Sequence, residues 1–553
     1  MQPRRPLTVT AAVTAAVLLL PVAAAAAGGA RKHVEGSVEI TTVDAEQVGD
    51  NRIASRSYRR LSTQEQRALE TDATTTSTGT ATGSTSTTAI TATPVPATGR
   101  LGLHVTATEL AVWRTRAAAG PYRTAGDAGT NSPGDWTRVS TNAATFHGSP
   151  DAAVWAGPVD NNPGGCVTGE ASTRFDPPAS ARVLLRDAAF TALVQADVAA
   201  AGRVADGLLA QAREPGVRFA DRARWCLGKR IDDLNPGFEI AGWMTSLVFA
   251  YDYVRITDPT AFSAAEQREL LDWFAGAAEW MTADVDDALE RNFTDRLQRS
   301  GAPYTLSSHR ASNPSISDEP YAGAGPRIGA IARYYNNRRA GMMRFVGVAG
   351  QALADAGHAG PSSVRGYTAA TYRERAARFV QDWLVYSVYA DGFVGDFERT
   401  SSSLPDLGWA YGMQALSPVL TIADTFARAG DDTLYRFTTA AGAHGSEGAP
   451  AGEAGKSLRW ISRTMTGYVD GSIERYAPGH AGDPTYRIDG VHAPSDWNGL
   501  HDLALVPANA TWRDAAISRV TTRALPSRVA GPGAHSPFGG DWGVYPAVLL
   551  MFG

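Results

Sequence analysis

This chain of 553 residues is poor in cysteine, in lysine and in long apolar runs. Its two cysteines are Cys166 and Cys226. No further cysteine and no close-spaced histidine accompanies them, which argues against a zinc site or a catalytic thiol. In an exported protein two cysteines most simply form one disulfide; two buried free thiols are the alternative. Lysine occurs three times (Lys32, Lys229, Lys456) against 48 arginines. GC-rich coding accounts for such a bias, and arginines that grip carboxylates with a planar fork are the functional alternative. The formal charge is −5, so no bulk basic surface for nucleic acid is expected. Beyond the N-terminus no apolar run is long enough for a transmembrane segment.

Met1–Ala27 has the form of a secretory signal, with Arg4 and Arg5, an apolar run through Val17–Leu20 and an alanine-rich stretch. The arginine pair also fits twin-arginine export; ordinary secretion is the simpler expectation. Removing this segment takes away two arginines and no acid, leaving the mature chain near −7. Residues 28–99 are expected to form a linker without fixed structure. Thr71–Thr98 within it is almost wholly Thr, Ser, Ala, Gly and Pro, too little apolar surface to offset the entropy of ordering.

Residues 100–553 read as one folded unit in which helical periodicity dominates. Ala181–Ala210 predicts one or two amphipathic helices. Glu239–Arg255, Ala264–Leu289, Tyr367–Ala390, Leu407–Ala429 and Gly455–Gly467 continue the series. Ser263 and Glu266 form a capping-box signature. Strand-like alternation is confined to Leu101–Trp113 and a few short runs. The expected fold is all-α, built of packed helical hairpins, with no fixed-period repeat.

Two helix starts carry the chemistry. At Asn336–Leu353, Met342, Phe345, Val346, Ala349 and Leu353 fall at helical spacing. Asn336 or Asn337 then lies at the N-cap, where Asn is among the best residues. Arg338 and Arg339 add guanidinium donors to the free N–H groups of a helix start, which makes a carboxylate cradle. The second start runs from Glu398 and Arg399 through Trp409 and Tyr411 into a stripe of Leu416, Val419, Leu420, Ala423 and Phe426. Pro418 inside it is expected to kink the helix or to sit in its first turn. Tyr411 is either a buried core tyrosine or a proton-transfer group near an arginine.

Both segments resemble the alginate lyase family, polysaccharide lyases of (α/α) toroid fold. Asn336-Asn337-Arg338 stands where that family has Asn-Asn-His. Glu398-Arg399, Tyr411 and Ala415-Leu416-Ser417-Pro418 follow its Glu…Arg…Tyr segment and Ala-Leu-x-Pro step. The match spans residues 330–437. Arg338 replaces the family's histidine, and the interval from Arg399 to Tyr411 is longer. Both departures fit a branch acting on glucuronan or other polyuronates.

The resemblance implies β-elimination at a uronic acid, with no cofactor or metal and an anionic polysaccharide as partner, by a chain acting as a monomer. Asn337 would neutralise the carboxylate, with Arg338 or Arg399, and stabilise the developing enolate. Tyr411 would protonate the departing O4 and, in a syn elimination, could also take the proton. His309, His492 and His501 are further candidates. Trp243, Trp409 and Trp497 could stack on sugars or pack the core. Two other readings stand beside this one. A glycoside hydrolase would pair Asp396 or Glu398 with Asp406 or Asp496. A non-catalytic surface binder would use the Thr-rich tether.

Overall fold

The computed structural model describes residues 31–35, 38–43, 47–48, 51–52, 55–60, 99–119, 135–158, 177–219, 235–284, 335–358, 365–388, 407–439, 455–470 and 507–518, with a few isolated positions beyond these. Short strands lie within residues 31–60. β1 (Arg31–Glu35), β2 (Val38–Val43) and β5 (Ser55–Arg60) form an antiparallel sheet in the order β1-β2-β5. β3 (Gln47–Val48) pairs with β4 (Asn51–Arg52). They fall inside the segment expected to lack structure. β2 reads VEITTV, a run of β-branched residues that suits a pleated strand. Thr71–Thr98 lies outside the described residues.

From residue 99 onward the described chain is helical apart from isolated bridges. Its helices are α1 (Ala107–Ala119), α2 (Asp135–Gly148), α3 (Ala179–Gln195), α4 (Val198–Arg213), α5 (Asn235–Thr257), α6 (Ala264–Glu279), α7 (Asn337–Asp355), α8 (Ala369–Tyr386), α9 (Leu407–Arg428), the single turn α10 (Thr433–Arg436) and α11 (Leu458–Asp470). Among the described residues no helix is long and apolar enough to cross a membrane.

The helix punctuation follows local chemistry. α3 ends at Ala196, which takes φ 56°, and Asp197 then caps α4 by accepting from the Ala200 N–H at 2.9 Å. The expected stretch is therefore two helices. Ser263 and Glu266 cap α6 reciprocally, as their spacing predicts. The alternation at Leu101–Trp113 misleads. Residues 100–106 fold into a tight bend closed by an antiparallel bridge between Arg100 and Thr106, and there Thr106 and Glu109 form the same kind of reciprocal cap and α1 begins. Pro418 lies within α9 rather than in its first turn. It denies the Gln414 carbonyl its helical hydrogen bond.

Helices α3, α5, α7 and α9 form a row: α3 packs on α5, α5 on α7 and α7 on α9. Helices α4, α6 and α8 back this row. α7 is the centre. From Arg339 to Leu353 each of its residues is buried, and a fully buried Leu, Val or Phe contributes roughly 1.5–3 kcal/mol. The close approach of α5 to α7 requires glycine: a Cβ on Gly341 would meet the Phe238 ring at 2.7 Å.

The row has two distinct ends. At the C-terminal end of its helices a strap, residues 99–109, crosses α5, α7 and α9. Arg100 pairs with Asp355 of α7. The Leu103 N–H donates to Asp252 of α5 at 2.8 Å. His104 meets Asp424 of α9 at 3.0 Å, and Glu109 is held by Arg428 at 2.8 and 2.9 Å. The opposite end collects the N-termini of the row.

Candidate functional site at the helix starts

The lead-in to α7 is pinned from outside the row. The Tyr335 hydroxyl donates to Asp382 of α8 at 3.0 Å, and Ser387 donates to the Tyr335 carbonyl at 2.6 Å. Asn336 follows as a plain N-cap, its Oδ1 accepting from the Arg339 N–H at 3.0 Å. That bond makes Asn336 the N-cap of α7, the capping side of its two readings.

Asn337 is 1% exposed. Its Nδ2 donates to Oε1 of Gln414 on α9 at 2.8 Å, and its Oδ1 has no hydrogen-bond partner among the described residues. Gln414 lies three residues beyond Tyr411, on the same side of the helix. The bond therefore joins the start of α7 to the start of α9. Tyr411 is half-buried.

Arg338 is half-buried and faces Glu239 near the start of α5. Arg182, near the start of α3, donates to the same carboxylate at 3.0 Å. Burial raises the Glu239 carboxyl above the usual range, against the pull of Arg182 and Arg338. All four helices of the row thus place polar residues at one mouth: Arg182, Glu239, Arg338 with Asn337, and Gln414. The N-terminal ends of parallel helices add partial positive charge there.

Arg339 does not belong to this mouth. Two residues past Asn337 the helix has turned by about 200°, and the Arg339 guanidinium donates to the Met281 carbonyl behind the row. It is a packing residue, not a substrate ligand. Trp243 is 0% exposed and packs edge-on to Trp155 and Trp273, at 5.1 and 5.6 Å between ring centroids. Of its two readings the core one holds, and its role as a sugar platform is corrected.

Trp409 is in the first turn of α9; its side chain lies outside the described set. Glu398, Arg399, His309, His492, His501, Trp497, Cys166 and Cys226 also lie outside the described residues, as do Asp396, Asp406 and Asp496 of the hydrolase reading. Glu398 and Arg399 precede α9 in the sequence. Among the described residues no cluster of three His, Cys, Asp or Glu could hold a metal ion.

Sequence reasoning missed Arg182, Glu239 and Gln414. Gln414 was within reach, since it shares a helix side with Tyr411. The other two lie on separate helices, and only packing brings them to the mouth. No family model, no curated protein and no solved structure matches this chain.

Proposed function

We propose that the chain is an exported polysaccharide lyase that cleaves a uronic-acid-containing polysaccharide by β-elimination, on helices that close into an (α/α) toroid. The observation that carries this reading is the Asn337–Gln414 bond at 2.8 Å. It ties the two helix starts singled out by their sequence into one place. The row of α3, α5, α7 and α9 with its backing helices is the arrangement from which such a toroid is built.

The chemistry follows from what elimination needs. The C5 proton of a uronosyl unit is poorly acidic while its carboxylate keeps full charge. Arg338, the helix starts and the second Nδ2–H of Asn337, whose first is held by Gln414, supply donors to that carboxylate and to the enolate that develops from it. A base removes the C5 proton, the electron pair forms the C4–C5 double bond, and the C4–O4 bond breaks. Tyr411 protonates the departing O4. Arg399, which precedes α9 in the sequence, is assigned to the substrate carboxylate with Asn337.

Incubation with a panel of polyuronates and neutral glycans tests this, by ultraviolet absorbance and reducing ends. A lyase raises both on a polyuronate. A rise in reducing ends alone identifies a hydrolase, and no rise in either identifies a binder.

A further inference from the structure

We propose that the Arg344 guanidinium anchors a second carboxylate-binding subsite, on the inner face of α7, that takes a uronosyl unit of the substrate. The proposal rests on the lyase reading for its substrate class, but its site rests on geometry alone.

Arg344 is 6% exposed. It has no hydrogen-bond or ion-pair partner among the described residues, and its Nε is fully buried. The other buried arginines differ. Arg182 holds Glu239, Arg186 holds Asp187 at 2.8 Å, Arg339 holds the Met281 carbonyl, and Arg428 holds Asp424 and Glu109. A charge buried without a partner is strongly destabilising. Burial pushes the Arg344 group down only to about 10, so it keeps its charge at neutral pH. Only its Nε is among the fully buried atoms, so the terminal nitrogens are left open to a ligand, and the ligand that fits a guanidinium is an anion.

Its neighbours on the helix narrow the ligand. Asn337, Arg344 and Gln351 are spaced by seven residues and share one face of α7. That face is opposite Arg339, which reaches behind the row. Asn337 Oδ1 and Gln351 Oε1 are also buried without partners among the described residues. Both are acceptors. Each acceptor lies about 10.5 Å from Arg344 along the helix, so the two suit hydroxyls of the neighbouring units of a chain whose acid group Arg344 holds. Inorganic phosphate or a fatty acid would leave the acceptors unpaired.

Seven residues rise about 10.5 Å along a helix. One carboxylate cannot serve both Asn337 and Arg344 across that distance, so the ligand must present acid groups at intervals. A polyuronate does. The strap at residues 99–109 crosses the far end of the row, with Arg100 on Asp355 of the same α7 face. The ligand therefore enters from the mouth.

The test is thermal-shift and calorimetric titration of the whole protein with glucuronate, galacturonate and mannuronate, against glucose at equal ionic strength. These monosaccharides have no glycosidic bond to eliminate, so binding is read without turnover. We expect at least one uronate to raise the wild-type Tm while glucose does not. Arg344→Met should abolish that rise, yet be as stable as wild type or more so without ligand, because the unpaired charge is gone. Arg344→Lys should bind at least tenfold more weakly, keeping charge but losing the planar fork; it carries the test if Arg344→Met does not fold. The proposal is overturned if no uronate stabilises the wild type, or if binding survives in the folded variants. Uronate binding that needs Arg344, in a protein that yields no unsaturated product, rejects the lyase reading alone. Full lyase activity with unchanged uronate binding in the variants rejects the subsite alone.

Discussion

The two ends of the α3–α5–α7–α9 row use the same residue types to opposite effect. At the strap end, acids and bases satisfy one another. Asp424 meets both His104 and Arg428, and Arg428 continues to Glu109. Three acids there, Asp252, Asp355 and Asp424, lie near helix C-termini, where negative charge is disfavoured. Each needs a partner from the strap, and each has one. At the mouth, helix N-termini and Arg182, Arg338 and Arg344 concentrate positive character, with Glu239 as the acid among the described residues there. A network of acids and bases closes the strap end; at the mouth and on the α7 face behind it, Asn337 Oδ1 and the Arg344 guanidinium have no partner among the described residues.

The comparison can be broken first at the mouth. Asn337→Ala should lower eliminative turnover about 10²–10³-fold, because a donor to the enolate is lost. It also leaves the buried Gln414 without its partner, so Tm must be recorded beside kcat. Turnover that falls only in proportion to unfolded protein would make Asn337 a structural residue.

At the strap end the expected loss is stability. Asp424→Ala strips His104 and Arg428 of their shared carboxylate and should cost about 3 kcal/mol or more in denaturant unfolding. Turnover per folded molecule should hold. A large fall in kcat at unchanged stability would mean that the strap end takes part in the chemistry.

Asp252 sharpens the same end through pH. Burial pushes its carboxyl up to about 7 from the usual 3.8. Between those values the native state holds a proton that the unfolded chain has released. Its contribution is therefore full at low pH and is lost as pH rises through about 7. His104, held low by burial, pulls the other way. So does Asp424, where burial is outweighed by Arg428 and His104. Both favour the fold at higher pH. Asp252→Asn keeps an acceptor for the Leu103 N–H and should raise stability at pH 8 by about 2 kcal/mol, a partly exposed group realising less than its full shift. Its pH profile should then lose the decline that wild type shows as pH rises toward about 7, apart from the share that Glu239, also raised by burial, contributes. A profile parallel to wild type would contradict the assignment.

The smallest effect belongs to Asn336. Asn336→Ala should cost about 1 kcal/mol, the loss of one cap, with KM unchanged. A raised KM would return Asn336 to the substrate site.

Much of this was legible beforehand. Helical periodicity located the series from α3 to α9, and the Ser263–Glu266 spacing located the start of α6. Thr106-x-x-Glu109 was an equally readable cap, hidden by the apolar alternation around it. The run Asn336–Arg339 looked like one cradle because neighbours in sequence look like neighbours in space. A helix turns 100° per residue, so it sends Asn337 inward and Arg339 backward. Trp243 could not be sorted, since a tryptophan in an apolar helix has the same pattern in a core or in a cleft. Arg344 was invisible for a different reason. Its helix face follows from spacing, but the lack of a partner among the described residues is a property of the packing.

The central claim is that the mouth performs an elimination in which Tyr411 moves a proton. The most direct measurement is kcat for the appearance of unsaturated product with Tyr411→Phe, on the best polyuronate, with Tm measured on the same sample. The ring stays and only the hydroxyl goes. The account predicts a Tm close to wild type and turnover lower by about 10²-fold or more. Wild-type turnover in a normally folded Tyr411→Phe protein would contradict it, and would make Tyr411 a packing residue at the start of α9.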